Sequence, residues 1–273
     1  MRRFSQVDVF SPQPGLGNPV AVVHDADGVD DDAMAAFARW TNLSETTFLL
    51  QPTVSDADYR LRIFTPAGEL PFAGHPTLGS AHAWLEAGGS PATDGHVVQE
   101  CEAGLIAIRR SQDRLAFRAP PLRRSGPVDE ALVTQTVADL GIGSEHVLDA
   151  QWVDNGPGWF ALLLDSPQAV LAIDPSRYDG IMGVVAAYPD DAECAFEVRA
   201  FAGAEGIAED PVTGSLNAGL AQWLLSTGRA PSSYVAAQGT AMHRVGRVHV
   251  DQIGEEIWVG GHTLTVVTGQ VRL

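Results

Sequence analysis

Gly74-His75-Pro76-Thr77-Leu78-Gly79-Ser80 and Glu209-Asp210-Pro211-Val212-Thr213-Gly214-Ser215 are two similar stretches in distant parts of the chain. Each leaves a strand-like segment and sets small residues at the start of an apolar helix. Behind the first lies Arg62-Ile-Phe64, behind the second Arg199-Ala-Phe201, and a glycine-bearing loop follows each. Further back, Asn18-Pro19 opens Val20-Ala-Val-Val23, and Asn155-Gly156-Pro157 precedes Phe160-Ala-Leu-Leu163. The three matches come in the same order at nearly the same spacing, which points to duplication. The expected organisation is an N-terminal lobe over residues 1–118 and a C-terminal lobe over 127–273. Between them Arg118-Ala-Pro-Pro-Leu-Arg-Arg-Ser-Gly-Pro127 reads as a proline-rich linker. The last strand, about residues 264–273, is expected to return to the first lobe.

Outward from these stretches, Val7–Phe10, Val20–Val23, Thr47–Leu50 and Tyr59–Phe64 are β-branched or aromatic runs between turn residues, and read as strands. Asp30–Trp40 carries Met34, Phe37 and Ala38 at helical spacing. Pro76–Leu85 reads as a helix closed by Gly88-Gly89, and Asp129–Leu140 as one closed by Gly141. Arg177–Ala187 and Val212–Leu225 are also expected to be helical, and Trp159–Leu164 and Glu197–Phe201 to be strands. The class is α+β.

The 273 residues carry a net charge of −17, which repels nucleic acid and anionic membranes. No apolar run is long enough to cross a bilayer or to act as a signal segment, so the cytoplasm is the expected location. There is no lysine anywhere in the sequence. That removes Schiff-base chemistry, P-loop nucleotide binding and Ser-x-x-Lys hydrolysis at once. Gly15-Leu-Gly17 is followed by a proline and a strand, not by the helix of a dinucleotide-binding turn. Cys101 and Cys194 lack any ligand spacing and read as buried thiols. His75, His82 and Glu86 could share a helical face, but not at a metal-ligand spacing. Neither metal nor cofactor is expected.

Helix starts with small residues leave backbone N–H groups open to an anion such as a carboxylate. Ordinary capping by Thr or Ser, with Pro in the first turn, is the competing reading. His75 and Asp210 sit beside the two prolines, where they can exchange or orient protons, or simply hold structure. Asn42-Leu-Ser-Glu45-Thr-Thr-Phe48 joins a helix to a strand, with Glu45 as its one acid. In a dry cleft such a carboxyl would serve as both base and acid. Spacing alone makes Glu45 no more than a loop glutamate.

Val7-Asp-Val-Phe10 with Gly17-Asn-Pro19, Asn42–Phe48, Arg62-Ile-Phe-Thr-Pro66, Pro71–Gly79 and Glu209–Ser215 together resemble the phenazine-biosynthesis PhzF-like family along nearly the whole chain. The resemblance implies a diaminopimelate-epimerase-like fold: two pseudo-symmetric lobes, each a curved, mostly antiparallel sheet around a central helix. It implies a cofactor-independent isomerase such as the one acting on trans-2,3-dihydro-3-hydroxyanthranilate, with Glu45 as single acid/base. It further implies that His75 and Asp210 surround the substrate's polar groups, that Gly74, Gly214 and Ser215 hold its carboxylate, and that the protein is a homodimer. Relatives of this fold, diaminopimelate epimerase and proline racemase, use two cysteines at the starts of the central helices. Here Gly74-His75 and Asp210-Pro211 stand there, which disfavours a thiol racemase. An epimerase or a non-catalytic metabolite-binding protein are the alternatives.

Overall fold

A helix that is apolar on every side has to be enclosed, and this chain has two of them. In the computed structural model, which describes residues 1–111 and 113–273, Gly74–Glu86 buries every residue from Gly74 to Ala81. Gly214–Ser226 likewise buries Gly214 and the run Leu216–Ala221. The chain divides into two compact units, Met1–Arg118 with Gly260–Leu273, and Ala119–Val259. Each unit encloses one of the two helices.

The first unit comprises strands β1 (Arg2–Val9) and β2 (Asn18–Val23), helix α1 (Asp31–Thr41), strands β3 (Thr46–Leu50), β4 (Tyr59–Phe64) and β5 (Glu69–Leu70), helix α2 (Gly74–Glu86), and strands β6 (His96–Cys101), β7 (Gly104–Ser111) and β8 (Arg114–Arg118). β2 runs parallel to β3, and β4 parallel to β6. The pairs β1–β2, β3–β4, β4–β5, β6–β7 and β7–β8 are antiparallel. α2 packs on β1, β2, β3, β4, β6 and β8, so the sheet curls about it. Asp30 caps α1 by accepting from the Ala33 N–H, and Met34 and Ala38 of α1 pack against Val23, Phe48 and Phe64.

The second unit comprises β9 (Arg124–Pro127), α3 (Glu130–Leu140), β10 (Val147–Asp154), β11 (Phe160–Leu164), α4 (Pro167–Leu171), β12 (Ile181–Ala187), β13 (Phe196–Ala202), β14 (Ile207–Asp210), α5 (Gly214–Ser226), β15 (Ser233–Gln238) and β16 (Gly246–Ile253). β17 (Glu256–Val271) starts here, and its residues from Gly260 onward belong to the first unit, where it pairs antiparallel with β1. The pairing pattern of the first unit recurs: β11–β12 and β13–β15 are parallel, while β10–β11, β12–β13, β13–β14 and β15–β16 are antiparallel. Val137 and Leu140 of α3 pack against Phe160 and Leu162 in its core.

Three expectations change. Arg177–Ala187 is not a helix: Ile181–Ala187 is a buried strand parallel to β11. A short continuous apolar run does not reveal its period, and the length and β-branched content of this one suit a strand. The stretch read as a linker contains β9, which pairs with β10 despite its prolines. Neither α2 nor α5 has a side-chain N-cap, so the capping alternative at the two helix starts fails.

The repeat needs a further correction. The elements repeat, but in a register that the matched prolines conceal. Arg62 grips Glu69 with Nε–Oε1 2.7 Å and Nη2–Oε2 2.6 Å, and Arg199 grips Glu209 at 2.8 and 2.6 Å. Each guanidinium lies 5.0 Å from a ring centroid two residues on, Phe64 or Phe201. Farther along, Gln99 on β6 donates to Thr77 (3.1 Å), and Gln238 on β15 accepts from Asn217 (2.7 Å). Glu69 therefore corresponds to Glu209, Gly74 to Gly214 and His75 to Ser215. Asp210 corresponds to Leu70, not to His75. Pro76 is the third residue of α2 and Pro211 precedes the Thr213 N-cap of α5. Proline is accepted at both kinds of place because neither needs its missing N–H.

Two helix glycines allow the close packing. A Cβ on Gly79 would lie 2.3 Å from Val20 Cγ1, and one on Gly219 would lie 2.1 Å from the Val153 carbonyl oxygen. In an exposed helix Gly→Ala would stabilise by about 1 kcal/mol. Here the sign reverses: Gly79→Ala should cost about 1–3 kcal/mol through overpacking, and Gly219→Ala more, since backbone cannot rotate aside. Urea unfolding of both variants checks this, and a stabilised Gly219→Ala would contradict it. Among the described residues no helix is long and apolar enough to cross a membrane.

Candidate active site

Glu45 is positioned by what flanks it. α1 ends at Asn42 in the left-handed conformation (φ 55°), whose N–H bonds to the Ala38 carbonyl. The chain then turns, and Glu45 is the last residue before β3. Its carbonyl accepts from the Ala21 N–H at 3.4 Å, which ties it to β2. Thr46 and Thr41 hydroxyls meet at 2.7 Å, and the Thr47 hydroxyl meets Ser80 at 2.8 Å. Hydroxyl residues around the acid thus lock the start of β3 to α1 and α2.

The Glu45 side chain is 14% exposed, and its Oε2 lies 3.3 Å from Nε2 of His75, which is 5% exposed. His75 is the second residue of α2, next to Gly74 at the helix start. Its Nδ1 lies 3.3 Å from Nδ2 of the fully buried Asn18. Burial pushes the imidazole down to about 3, with the Pro19 carbonyl opposing weakly. His75 is therefore neutral at physiological pH, and its contact with Glu45 joins a carboxyl to a neutral ring.

That buried ring has a consequence for stability. Unfolded, the histidine titrates near its ordinary 6.5, and folded near 3. Between these values the unfolded chain binds the extra proton, so stability falls as pH drops below about 6.5. His75→Asn should lose less stability between pH 7 and pH 5 than the wild type does, by urea unfolding. Equal losses would show that His75 carries no such linkage.

In the second unit the residues singled out from the sequence lie along one stretch. Asp210 ends β14, and its Oδ2 accepts from the Thr213 hydroxyl at 2.5 Å. Gln238 pins this turn: its Oε1 accepts from Thr213 N (3.0 Å) and Asn217 Nδ2 (2.7 Å), and its Nε2 donates to the Asp210 carbonyl (3.2 Å). Gly214 begins α5. Ser215 Oγ accepts from Trp159 Nε1 at 3.0 Å, and its carbonyl accepts from Asn155 Nδ2 at 2.8 Å. Within the first unit Glu45, His75 and Gly74 are brought together. Within the second, Asp210, Gly214 and Ser215 are. Asn18, Asn155, Thr213 and Gln238 had no assigned role in the sequence. A buried amide at a strand end is the signal that could have found the two asparagines.

The cysteines are elsewhere. Cys101 ends β6 and Cys194 precedes β13, both buried, with burial pushing each thiol up. No group of three or more His, Cys, Asp or Glu side chains that could hold a metal ion occurs among the described residues. His82 instead meets Thr263 (2.9 Å) and Glu86 (3.3 Å).

The profile of the phenazine biosynthesis-like protein family (PhzC-PhzF) matches residues 7–269. The chain belongs to this family. The PhzF-like chain is 35% identical to antisense-enhancing sequence 1 of Schizosaccharomyces pombe, covering 98% of this chain and 97% of that protein. It is 34% identical to the trans-2,3-dihydro-3-hydroxyanthranilate isomerase of Pseudomonas aeruginosa, over 79% of this chain and 77% of the other. Among solved structures, a PhzF family protein of Bacillus anthracis superposes with a TM-score of 0.84 at 22% identity, covering 100% of this chain and 99% of that one. A hydroxyproline epimerase from Agrobacterium vitis superposes at 0.61 with 16% identity, covering 99% and 92%. These likenesses give the PhzF fold the company of racemase-type epimerases. The family member described here is an isomerase of that α+β fold.

Proposed function

We propose that this isomerase moves a proton within a small carboxylated substrate, an amino or hydroxy acid of the trans-2,3-dihydro-3-hydroxyanthranilate type, with Glu45 as the single acid/base and no cofactor. The observation that carries the reading is the contact of Glu45 with a buried, neutral His75. A neutral ring does not compete with the glutamate for the proton at working pH, and it can donate one hydrogen bond to the carboxylate or to the substrate. Glu45 would take the proton from one carbon and, protonated, deliver it to another on the same face. His75 and Asp210 would bind the substrate's polar groups. Gly74, Gly214 and Ser215 would hold its carboxylate through the first amides of α2 and α5, which no side chain caps.

A racemase acting through two thiols finds no support: Gly74-His75 and Gly214-Ser215 start the two central helices, and both cysteines are buried beside strands. The test is turnover of trans-2,3-dihydro-3-hydroxyanthranilate in D₂O, followed by absorbance and NMR. The expected product carries deuterium only at the receiving carbon, to the extent that the Glu45 proton exchanges between the two half-steps. Failure of folded protein to convert it would overturn this substrate. Inversion at a substrate α-carbon would replace the reading with epimerisation.

A further inference from the structure

We infer that Asn18 is a positioning residue that fixes the ring tautomer of His75, keeping its proton on Nε2, beside Glu45, and closing Nδ1 to any proton. Two observations carry this. An amide nitrogen is only a donor, so at 3.3 Å from Asn18 Nδ2 the His75 Nδ1 has to be the acceptor. A neutral ring then has its one proton on Nε2. Nε2 in turn lies 3.3 Å from a Glu45 carboxyl oxygen, in a contact that falls outside hydrogen-bond geometry. The second unit has a positional parallel: Asn155 Nδ2 donates at 2.8 Å to the main-chain carbonyl of Ser215, the counterpart of His75. In both units a buried asparagine, Asn18 at the start of β2 and Asn155 just after β10, turns its amide donor toward the second residue of the central helix. Asn18 is fully buried and held on β2, so the amide is aimed by the fold.

The tautomer determines what His75 can do. With Nε2–H beside Glu45 and Nδ1 occupied by the amide, the ring can donate one hydrogen bond but has no open site for the proton that Glu45 carries. The proton stays on the glutamate between the two half-steps. The Pro19 carbonyl, a hydrogen-bond acceptor for the ring, is the rival: with the proton on Nδ1 instead, Nε2 would be left as a base beside Glu45.

The catalytic half of this inference rests on the function proposed for Glu45, but its structural half is tested without turnover. In protein labelled with ¹⁵N histidine, two-dimensional NMR of the His75 ring at neutral pH should show the Nε2–H tautomer. The Nδ1–H tautomer in the wild type overturns the inference. Asn18→Asp replaces the donor with an acceptor and should protonate Nδ1; an unchanged ring also overturns it. The same variant should lose roughly 100-fold or more in kcat with little change in KM, as wrong-tautomer and misplacement effects do. A flipped ring with unchanged kcat removes the positioning role. Should the wild type convert no substrate, the ring spectra still decide the tautomer, and only the proposed function fails. If Asn18→Asp does not fold, the wild-type spectrum alone decides.

Discussion

Glu45→Gln should fold as the wild type does and bind substrate, yet turn it over about 10²–10⁴ times more slowly, the range that one proton-transferring side chain supplies. The upper end is expected because a single carboxyl serves both removal and return of the proton. The substitution keeps the shape of the side chain. It also keeps the Glu45 carbonyl that holds Ala21 N–H, so unfolding midpoints should hardly move. KM should change little, since the carboxylate of the substrate is assigned to the helix starts. Steady-state kinetics with a circular-dichroism control reads this directly. A variant that keeps more than a tenth of the activity would mean that Glu45 is not the proton carrier, and Asp210, held by the Thr213 hydroxyl, would be the next residue to replace.

The largest effect on stability is expected at Arg199. Its side chain is 1% exposed and that of Glu209 is 4% exposed. Two parallel hydrogen bonds join them, and Arg199 Nη1 also donates to the carbonyls of Val170 (3.0 Å) and Ile173 (2.7 Å). Arg199→Ala would leave a buried carboxylate and two carbonyls without their donor, a loss of about 3–5 kcal/mol. The twin pair gives an internal control. Arg62 is 17% exposed, with Glu69 at 32% and Asp31 at 79%, so solvent screens it, and Arg62→Ala should cost only about 0.2–1 kcal/mol. Guanidinium-chloride unfolding of both variants, with unchanged slopes, should separate them clearly. Equal costs would show that burial does not set the worth of this repeated ion pair.

Period and exclusion, read from the residues alone, settled part of this protein. The apolar runs of α2 and α5 made two central helices readable, because a helix apolar all round has only one place to go. The missing lysine removed whole reaction classes without any coordinates. The quoted motifs carried the family and the isomerase chemistry. The order Arg-x-Phe, loop, helix announced a duplication, and the shared pairing pattern of the two units agrees with it. Other features are decided only when distant residues meet. Ile181–Ala187 became a strand because β11 offered it a parallel partner, and a seven-residue apolar run shows no period of its own to announce it. The register of the repeat was hidden because proline suits both a first helical turn and a loop, and only the ion pairs of Glu69 and Glu209 align the halves. Glu45 read as a loop acid until His75 was found against it. The neutrality of that histidine is a property of burial, and its tautomer a property of Asn18, a residue 57 positions away. Neither is written in local sequence, because desolvation and hydrogen-bond direction come from the atoms that folding gathers around a side chain.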